Sequence, residues 1–246
     1  GLRFEQLANP QWFHEDPALA WGFYGHRLNL YRETVPHPGF AALLRWGAGK
    51  PHGVFAFTSN VDGQFQKAGF SPSRVVECHG SIHHLQCLRN CGAAIRPADG
   101  VAVEVDPETC RARKPYPACH GCHGLARPNI LMFGDMAWDE SRNDAQHESL
   151  GTWLGGVKGP LAILEFGAGT RVPSVRNLSE RAARGPRRTL VRINPREPQL
   201  GYGFEAPPPD SLEALVAGSI PSGRPVGLSI PLGALAAIRE IDARRR

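Results

Sequence analysis

The sequence predicts an α/β protein whose parallel sheet has a helical segment in front and a small module inserted in the middle. Three observations predict it. Apolar residues recur at helical spacing across roughly the first 50 residues. Four short apolar runs follow, each ending in a polar or glycine-rich loop. Between the second and third runs, residues 85–127 hold five of the six cysteines and are rich in Pro, Gly, Arg and Ala.

The helical segment comes first. Asp16-Pro17 offers a capping carboxylate and a proline for the first turn. Leu19, Phe23, His26 and Leu30 then share one helix face. A second helix fits GFAALLRWGAGK and is stopped by Gly47 and Gly49. The four apolar runs are GVFAF before TSNVDG, RVVE before CHGS, LAILEF before GAGT, and TLVRI before NPRE. Unbroken apolar runs of this length suit buried parallel strands. The expected fold is therefore a Rossmann-like parallel sheet, in which ligands bind outside the carboxyl ends of the strands. Thr58, Asn60, Asp62, His79, Gly167, Gly169, Thr170 and Asn194 would emerge at that edge. Asn60 and Asp62 also suit a second role, capping the helix NVDGQFQKAGF. The expected organisation is a Rossmann-like domain of residues 1–84 and 128–246, helical over 1–50, with an inserted module at 85–127.

Composition narrows the function classes. The chain has 246 residues, of which 41% are hydrophobic, enough for a substantial buried core. No apolar run is long enough to cross a bilayer, so no membrane role is expected. No charged-then-apolar leader is visible, and the opening GLRFEQLANP, without a methionine, is not expected to be the natural start. The net charge is +5, and only four of the 28 basic residues are lysines. Arginines cluster between Arg181 and Arg192 and in the tail Arg244-Arg245-Arg246, which suits a solvated face and a tail. Specific nucleic-acid binding is not expected, because neither aromatic interleaving nor a reading motif is present. Export is not expected, so metal binding in a reducing compartment fits the cysteines better than disulfides, and the expected location is cytoplasmic.

Cys87-x3-Cys91 and Cys119-x2-Cys122 are two pairs separated by 27 residues. Two such knuckles close a tetrahedral zinc site, and four thiolates leave no open position, so the zinc would be structural. His120 and His123 are left as surface residues, and Cys78 and Cys110 as spare thiols. His79 follows a strand and precedes Gly80, which lets the backbone turn toward the ligand edge. Its ordinary pKa suits general-base work at neutral pH, although on pattern alone a structural histidine fits equally well. His83 and His84 are expected to do neither metal binding nor chemistry.

In order along the chain, these segments resemble the sirtuin family. TSNVDG is similar to the family's Thr-Gln-Asn-Ile-Asp segment, VVECHGS to the strand ending in its catalytic His-Gly, and the four cysteines to its zinc tetrad. RPNILMFGD resembles the segment lining the acyl-peptide cleft, GAGTRVPSVR takes the place of the Gly-Thr-Ser loop, and INP matches the turn that meets the adenosine ribose. The resemblance runs from about residue 53 to at least residue 195. It implies an NAD-dependent protein-lysine deacylase of deacetylase or desuccinylase type, with NAD and zinc as cofactors and acylated-lysine proteins or peptides as substrates. Nicotinamide, free lysine and O-acyl-ADP-ribose would be the products.

Carried over position by position, His79 is the general base. Thr58, Asn60 and Asp62 lie at the nicotinamide side, Gly167, Gly169 and Thr170 at the nucleotide, and Asn194 at the adenosine ribose. Phe133 and Gly134 would pair with the substrate backbone by strand addition. Tyr24 and Arg27 resemble the Tyr-x-x-Arg pair associated with succinyl and malonyl groups, since arginine clamps a carboxylate bidentately; an exposed helix face is the competing account. Three departures stand out. The family's Gly-Ala-Gly and Pro-Asp-Phe-Arg segments are missing, Ser59 replaces a glutamine, and the hydroxyl of the nucleotide loop is shifted by one position. Two other expectations therefore stand beside deacylation. One is mono-ADP-ribosyl transfer or NAD hydrolysis; the other is an inactive NAD- or protein-binding scaffold.

Overall fold

The computed structural model describes residues 3–185, 187–206 and 224–244, so Arg245 and Arg246 lie outside the described residues. The chain divides into two compact units, Gly1–Pro36 with Ala56–Leu150 and His37–Phe55 with Gly151–Arg246. Helices α1 (Phe4–Leu7), α2 (Trp12–Glu15) and α3 (Pro17–Glu33) open the first unit, and α4 (Gly39–Ala48) belongs to the second. The first unit continues with β1 (Ala56–Thr58), α5 (Gln64–Lys67), β2 (Val75–Glu77), β3 (Gly80–Cys87), β4 (Arg96–Pro97) and β5 (Ala126–Ile130). Helix α6 (Ser141–Gly156) begins in the first unit and ends in the second. Then come β6 (Leu161–Phe166), α7 (Ser174–Ala183), β7 (Arg188–Ile193), β8 (Val226–Ile230) and α8 (Ala234–Arg244).

In the first unit, β1 and β2 pair in parallel, with Thr58 opposite Glu77 at their carboxyl ends. β3 is the centre of a separate antiparallel sheet in the order β4-β3-β5. Its ladder with β5 carries an irregularity between Ser81 and Leu85. Helix α3 starts as its sequence dictates, with Asp16 Oδ1 accepting from the Leu19 amide at 3.2 Å and Pro17 in the first turn. Its buried residues Trp21, Tyr24 and Leu28 pack with Phe13, Ile82, Leu85, Leu88 and Val103 in one core. Residues 85–127, rich in Pro, Gly, Arg and Ala, carry few apolar runs for a core of their own. They share this one, and the helix also binds their backbone. Trp21 Nε1 donates to the Ala126 carbonyl, Asn29 to Val103, and Arg32 to Val101 and Ala98.

In the second unit, β6, β7 and β8 form a parallel sheet in that order. α4 and α8 pack through Ala42, Trp46 and Ile238, and Asp242 accepts hydrogen bonds from both Trp46 Nε1 and Arg45. Among the described residues no helix is long and apolar enough to cross a membrane.

Candidate functional site

In the first unit the site is built around the β2–β3 turn. Gly80 has φ +77°, and a Cβ there would lie 2.1 Å from the Asn129 carbonyl oxygen, so only glycine admits the turn. This fixes His79 half-buried just past the end of β2. Burial pushes its imidazole below the ordinary histidine value, opposed by a hydrogen bond to the Ser59 backbone. The ring N–H donates to the Ser59 carbonyl, so the other nitrogen is left as an acceptor.

The loop after β1 follows the turn closely. The Cys78 amide donates to the Thr58 carbonyl at 2.9 Å, and the Ile82 amide to the Val61 carbonyl at 2.9 Å. Buried Thr58 accepts the Asn60 amide on Oγ1 at 3.0 Å, and Asp62 Oδ1 accepts the Gln64 amide at 3.0 Å, closing a side-chain turn just before α5, whose N-cap is Gly63. The Asn60 side chain is exposed. Beneath the turn, Glu77 is buried and pairs with Arg142, while Asn143 donates to its carbonyl and Gln146 accepts from its amide. Sequence reasoning passed over these α6 residues, because a polar helix carries no apolar stripe.

Cys87, Cys91, Cys119 and Cys122 converge, with all four Sγ atoms within 4.8 Å of one another. Cys87 and Cys122 are 3.6 Å apart, and Cys91 and Cys119 3.7 Å. A tetrahedron with Zn–S bonds of about 2.3 Å has S···S edges of about 3.8 Å, so the donor set fits a zinc ion. The Gly121 amide donates to Cys119 Sγ and Arg89 to Cys122 Sγ, each at 3.4 Å. Arg89 is the main reason the Cys122 thiol is lowered to about 6, as suits a thiolate ligand. His120 and His123 are exposed and stand outside this cluster.

Tyr24 is buried, 4% exposed, and stacks on Phe13 at 5.7 Å, so its ring belongs to the core. Burial raises the pKa of its hydroxyl. The Arg27 guanidinium lies 3.6 Å from the centroid of the Phe23 ring and 5.8 Å from that of Phe4, and Arg27 forms no ion pair with the described residues. Phe133 and Gly134 lie in a loop closed by a buried bidentate pair, Arg127 to Asp135 at 2.6 and 2.9 Å. The Phe133 ring is exposed, and its amide donates to the Ala8 carbonyl at 3.0 Å, which occupies the group expected to meet a peptide. Gly134 has φ +69° and open space where a Cβ would lie.

In the second unit, Gly167, Gly169, Thr170 and Asn194 gather at the carboxyl ends of β6 and β7. Asn194 Nδ2 donates to the Ala168 carbonyl at 3.0 Å, and its Oδ1 accepts from the Arg196 and Glu197 amides. Glu197 takes the Thr170 amide at 3.1 Å and its hydroxyl at 2.5 Å, which lowers the Glu197 pKa. A Cβ on Gly167 would meet nothing within 4 Å. Small residues thus leave an open backbone edge beside Asn194, which fits the adenosine side of a dinucleotide.

Comparison with known proteins identifies the family. The Sir2 family model matches residues 2–151, which include His79, the cysteine tetrad and the Arg127–Asp135 segment. An NAD-dependent protein deacylase of Methylococcus capsulatus is 31% identical over 201 residues, 79% of this chain and 70% of that protein. NAD-dependent protein deacylase 2 of Pyrobaculum aerophilum is 39% identical over 133 residues, and the mitochondrial NAD-dependent protein deacylase sirtuin-5 of Danio rerio 34% over 147 residues. The chain spans about half the length of these last two, 47% of each. Among solved structures, Sir2Tm bound to a propionylated peptide aligns with TM-score 0.60 at 16% identity, covering 97% of this chain and 83% of the other. A Sir2 homolog–NAD complex aligns with TM-score 0.60 at 22% identity, covering 98% and 77%. These likenesses show the Rossmann-like fold, and with the family match and the Methylococcus relative they lead to one conclusion: this chain belongs to the Sir2 family.

Proposed function

We propose that the chain is an NAD-dependent protein-lysine deacylase that releases nicotinamide and O-acyl-ADP-ribose and acts on acylated-lysine proteins. The observation that carries this reading is the His79 turn, whose imidazole is pushed below the ordinary histidine value by burial and is bound to the backbone of the loop after β1. NAD, when bound, supplies the ribose carbon that gives up nicotinamide and takes the acyl oxygen. His79 accepts the proton of a ribose hydroxyl on the ring nitrogen not engaged with Ser59. Thr58 fixes the course of the loop through the Asn60 amide, and Asn60 and Asp62 line the nicotinamide side. Gly167, Gly169, Thr170 and Asn194 receive the adenosine half on open backbone and one amide side chain. The exposed Phe133 ring and Gly134 meet the substrate peptide, the Phe133 amide being held by Ala8. The four cysteines hold a structural zinc, and the protein works in the cytoplasm, where such thiolates stay reduced.

An acidic acyl group is the preferred substrate in this reading. Arg27 carries a charge with no carboxylate partner among the described residues and is held in place by stacking on Phe23. Tyr24, three residues before it, offers its hydroxyl to the same group from a ring buried in the core. The deacylase relatives, and Sir2 structures with a propionylated peptide or with a p53 peptide and NAD, support the reaction class.

The test is nicotinamide release from NAD with no peptide, with acetyl-lysine peptide and with succinyl-lysine peptide. Release that needs a peptide and is lost in His79→Ala is expected. Release without any peptide would instead mean NAD hydrolysis, and binding without turnover a scaffold. Arg27→Met should reduce desuccinylation far more than deacetylation; equal losses would remove the acidic-acyl preference.

A further inference from the structure

The β2–β3 turn and the loop after β1 are joined by a run of contacts in register. Two are backbone bonds, Cys78 to Thr58 and Ile82 to Val61, and one is His79 against Ser59. The run ends on a side chain. His83 Nε2 lies 3.0 Å from the Asp62 carbonyl oxygen. The next residue, Gly63, has φ +68°, and a Cβ on it would lie 2.6 Å from His83 Cδ2. The ring therefore fits the space a side chain at position 63 would fill, and a glycine is needed there for the ring to reach the carbonyl.

We propose that His83 is a positioning residue for the cofactor-facing loop, setting Asn60 and Asp62 for catalysis without touching the reacting atoms. The inference rests on the deacylase reading above. Each end of Asp62 is tied, its carboxylate to the Gln64 amide and its carbonyl to His83. With Val61 held by Ile82, the residue left projecting between the fixed points is exposed Asn60. Without the imidazole N–H, the Asp62 carbonyl loses this donor, and the segment Asn60–Gly63 is held only by Val61 and the Asp62 carboxylate. His79 keeps its place, because its turn is held separately by Gly80 and the Cys78–Thr58 bond.

Two substitutions separate positioning from space filling. His83→Phe keeps an aromatic ring but has no donor, whereas His83→Gln keeps an amide N–H of similar reach. In His83→Phe the KM for NAD should rise about 3- to 10-fold, the effect of one hydrogen bond, while the KM for acyl peptide stays within about 2-fold. Amide hydrogen exchange at residues 60–64 should quicken, and His83→Gln should recover most of both changes. Unchanged KM for NAD in His83→Phe, or no recovery in His83→Gln, overturns the proposal. Exchange and equilibrium NAD binding need no turnover, so they decide about His83 even if peptide-dependent nicotinamide release is absent from the parent protein, a result that would sink the deacylase reading itself.

Discussion

Replacing Asp135 with Asn should unfold the first unit at markedly lower denaturant. Arg127 and Asp135 form a fully buried pair, their side chains 1% and 0% exposed. The carboxylate also accepts the Met132 and Ala137 amides at 3.4 and 3.2 Å. Asn keeps one acceptor oxygen, turns an NH2 group toward a guanidinium, and leaves the Arg127 charge without a counterion. Breaking a buried pair in this way costs about 3–5 kcal/mol. With a urea m-value of about 2 kcal/mol/M, the midpoint should fall by about 2 M. Removing both charges should be far milder. Arg127→Met with Asp135→Leu loses only the two amide contacts, about 1 kcal/mol each, since two apolar side chains are close to neutral in place of a buried pair. The assay is urea unfolding, at saturating zinc, of the parent, Asp135→Asn, Arg127→Met, Asp135→Leu and the double variant. A cost below about 1 kcal/mol for Asp135→Asn, or a double variant whose loss equals the sum of the single losses, would refute the coupling argument.

Burial, followed by the charges of Arg142 and His83, lowers the His84 pKa to about 4. Because the folded value lies below the unfolded value of about 6.5, stability should be full above pH 6.5 and decline as pH falls toward 4; allowing for partial solvation, His84 should account for about 1–2 kcal/mol of that loss, and His84→Leu should show a flatter stability profile over the same range. Cys122→Ser should reduce bound zinc from about one ion per chain to near none, measured by elemental analysis after dialysis; full retention of zinc would exclude the tetrad as the site. Glu197→Gln replaces a charge-assisted acceptor of Thr170 with a neutral one, which should weaken NAD binding about 3- to 5-fold by calorimetry, and unchanged affinity would show that the loop is held by Asn194 alone.

Much of this architecture is written locally in the chain. The Asp16-Pro17 start of α3 and the apolar runs of β1, β2, β6 and β7 depend on residues within one turn or one strand, and each forms as the pattern indicates. The tetrad was legible from spacing, because tight turns bring each cysteine pair together without distant help. β3 and β5 were not legible as strands. Their ladder joins residues such as Gln86 and Arg127, far apart in the chain, and GSIHHLQC has no clean alternation. α6 also escaped, since SRNDAQHESLGTWLGG buries only Asn143 and Leu150. For the candidate site, the residue types and their strand-end positions could be read in advance. Not legible were the bonds that use His83 as a clip and the Phe133 amide as a partner of Ala8, because each needs a second segment placed against the first.

The docking of residues 98–126 on α3 bears on how this part of the protein can be inherited. Gly22 and Gly25 face it so closely that Cβ atoms there would lie 2.1 Å from the Cys110 carbonyl oxygen and 2.3 Å from Val103 Cγ1. A helix with larger residues at these two positions could not receive the strand of chain that crosses it. The cysteine loops are thus less a cassette with its own metal lock than a graft shaped to one stock. Moved to another Rossmann-like host, they would carry the four sulfurs but not the groove, so a working transplant would have to bring α3 with it.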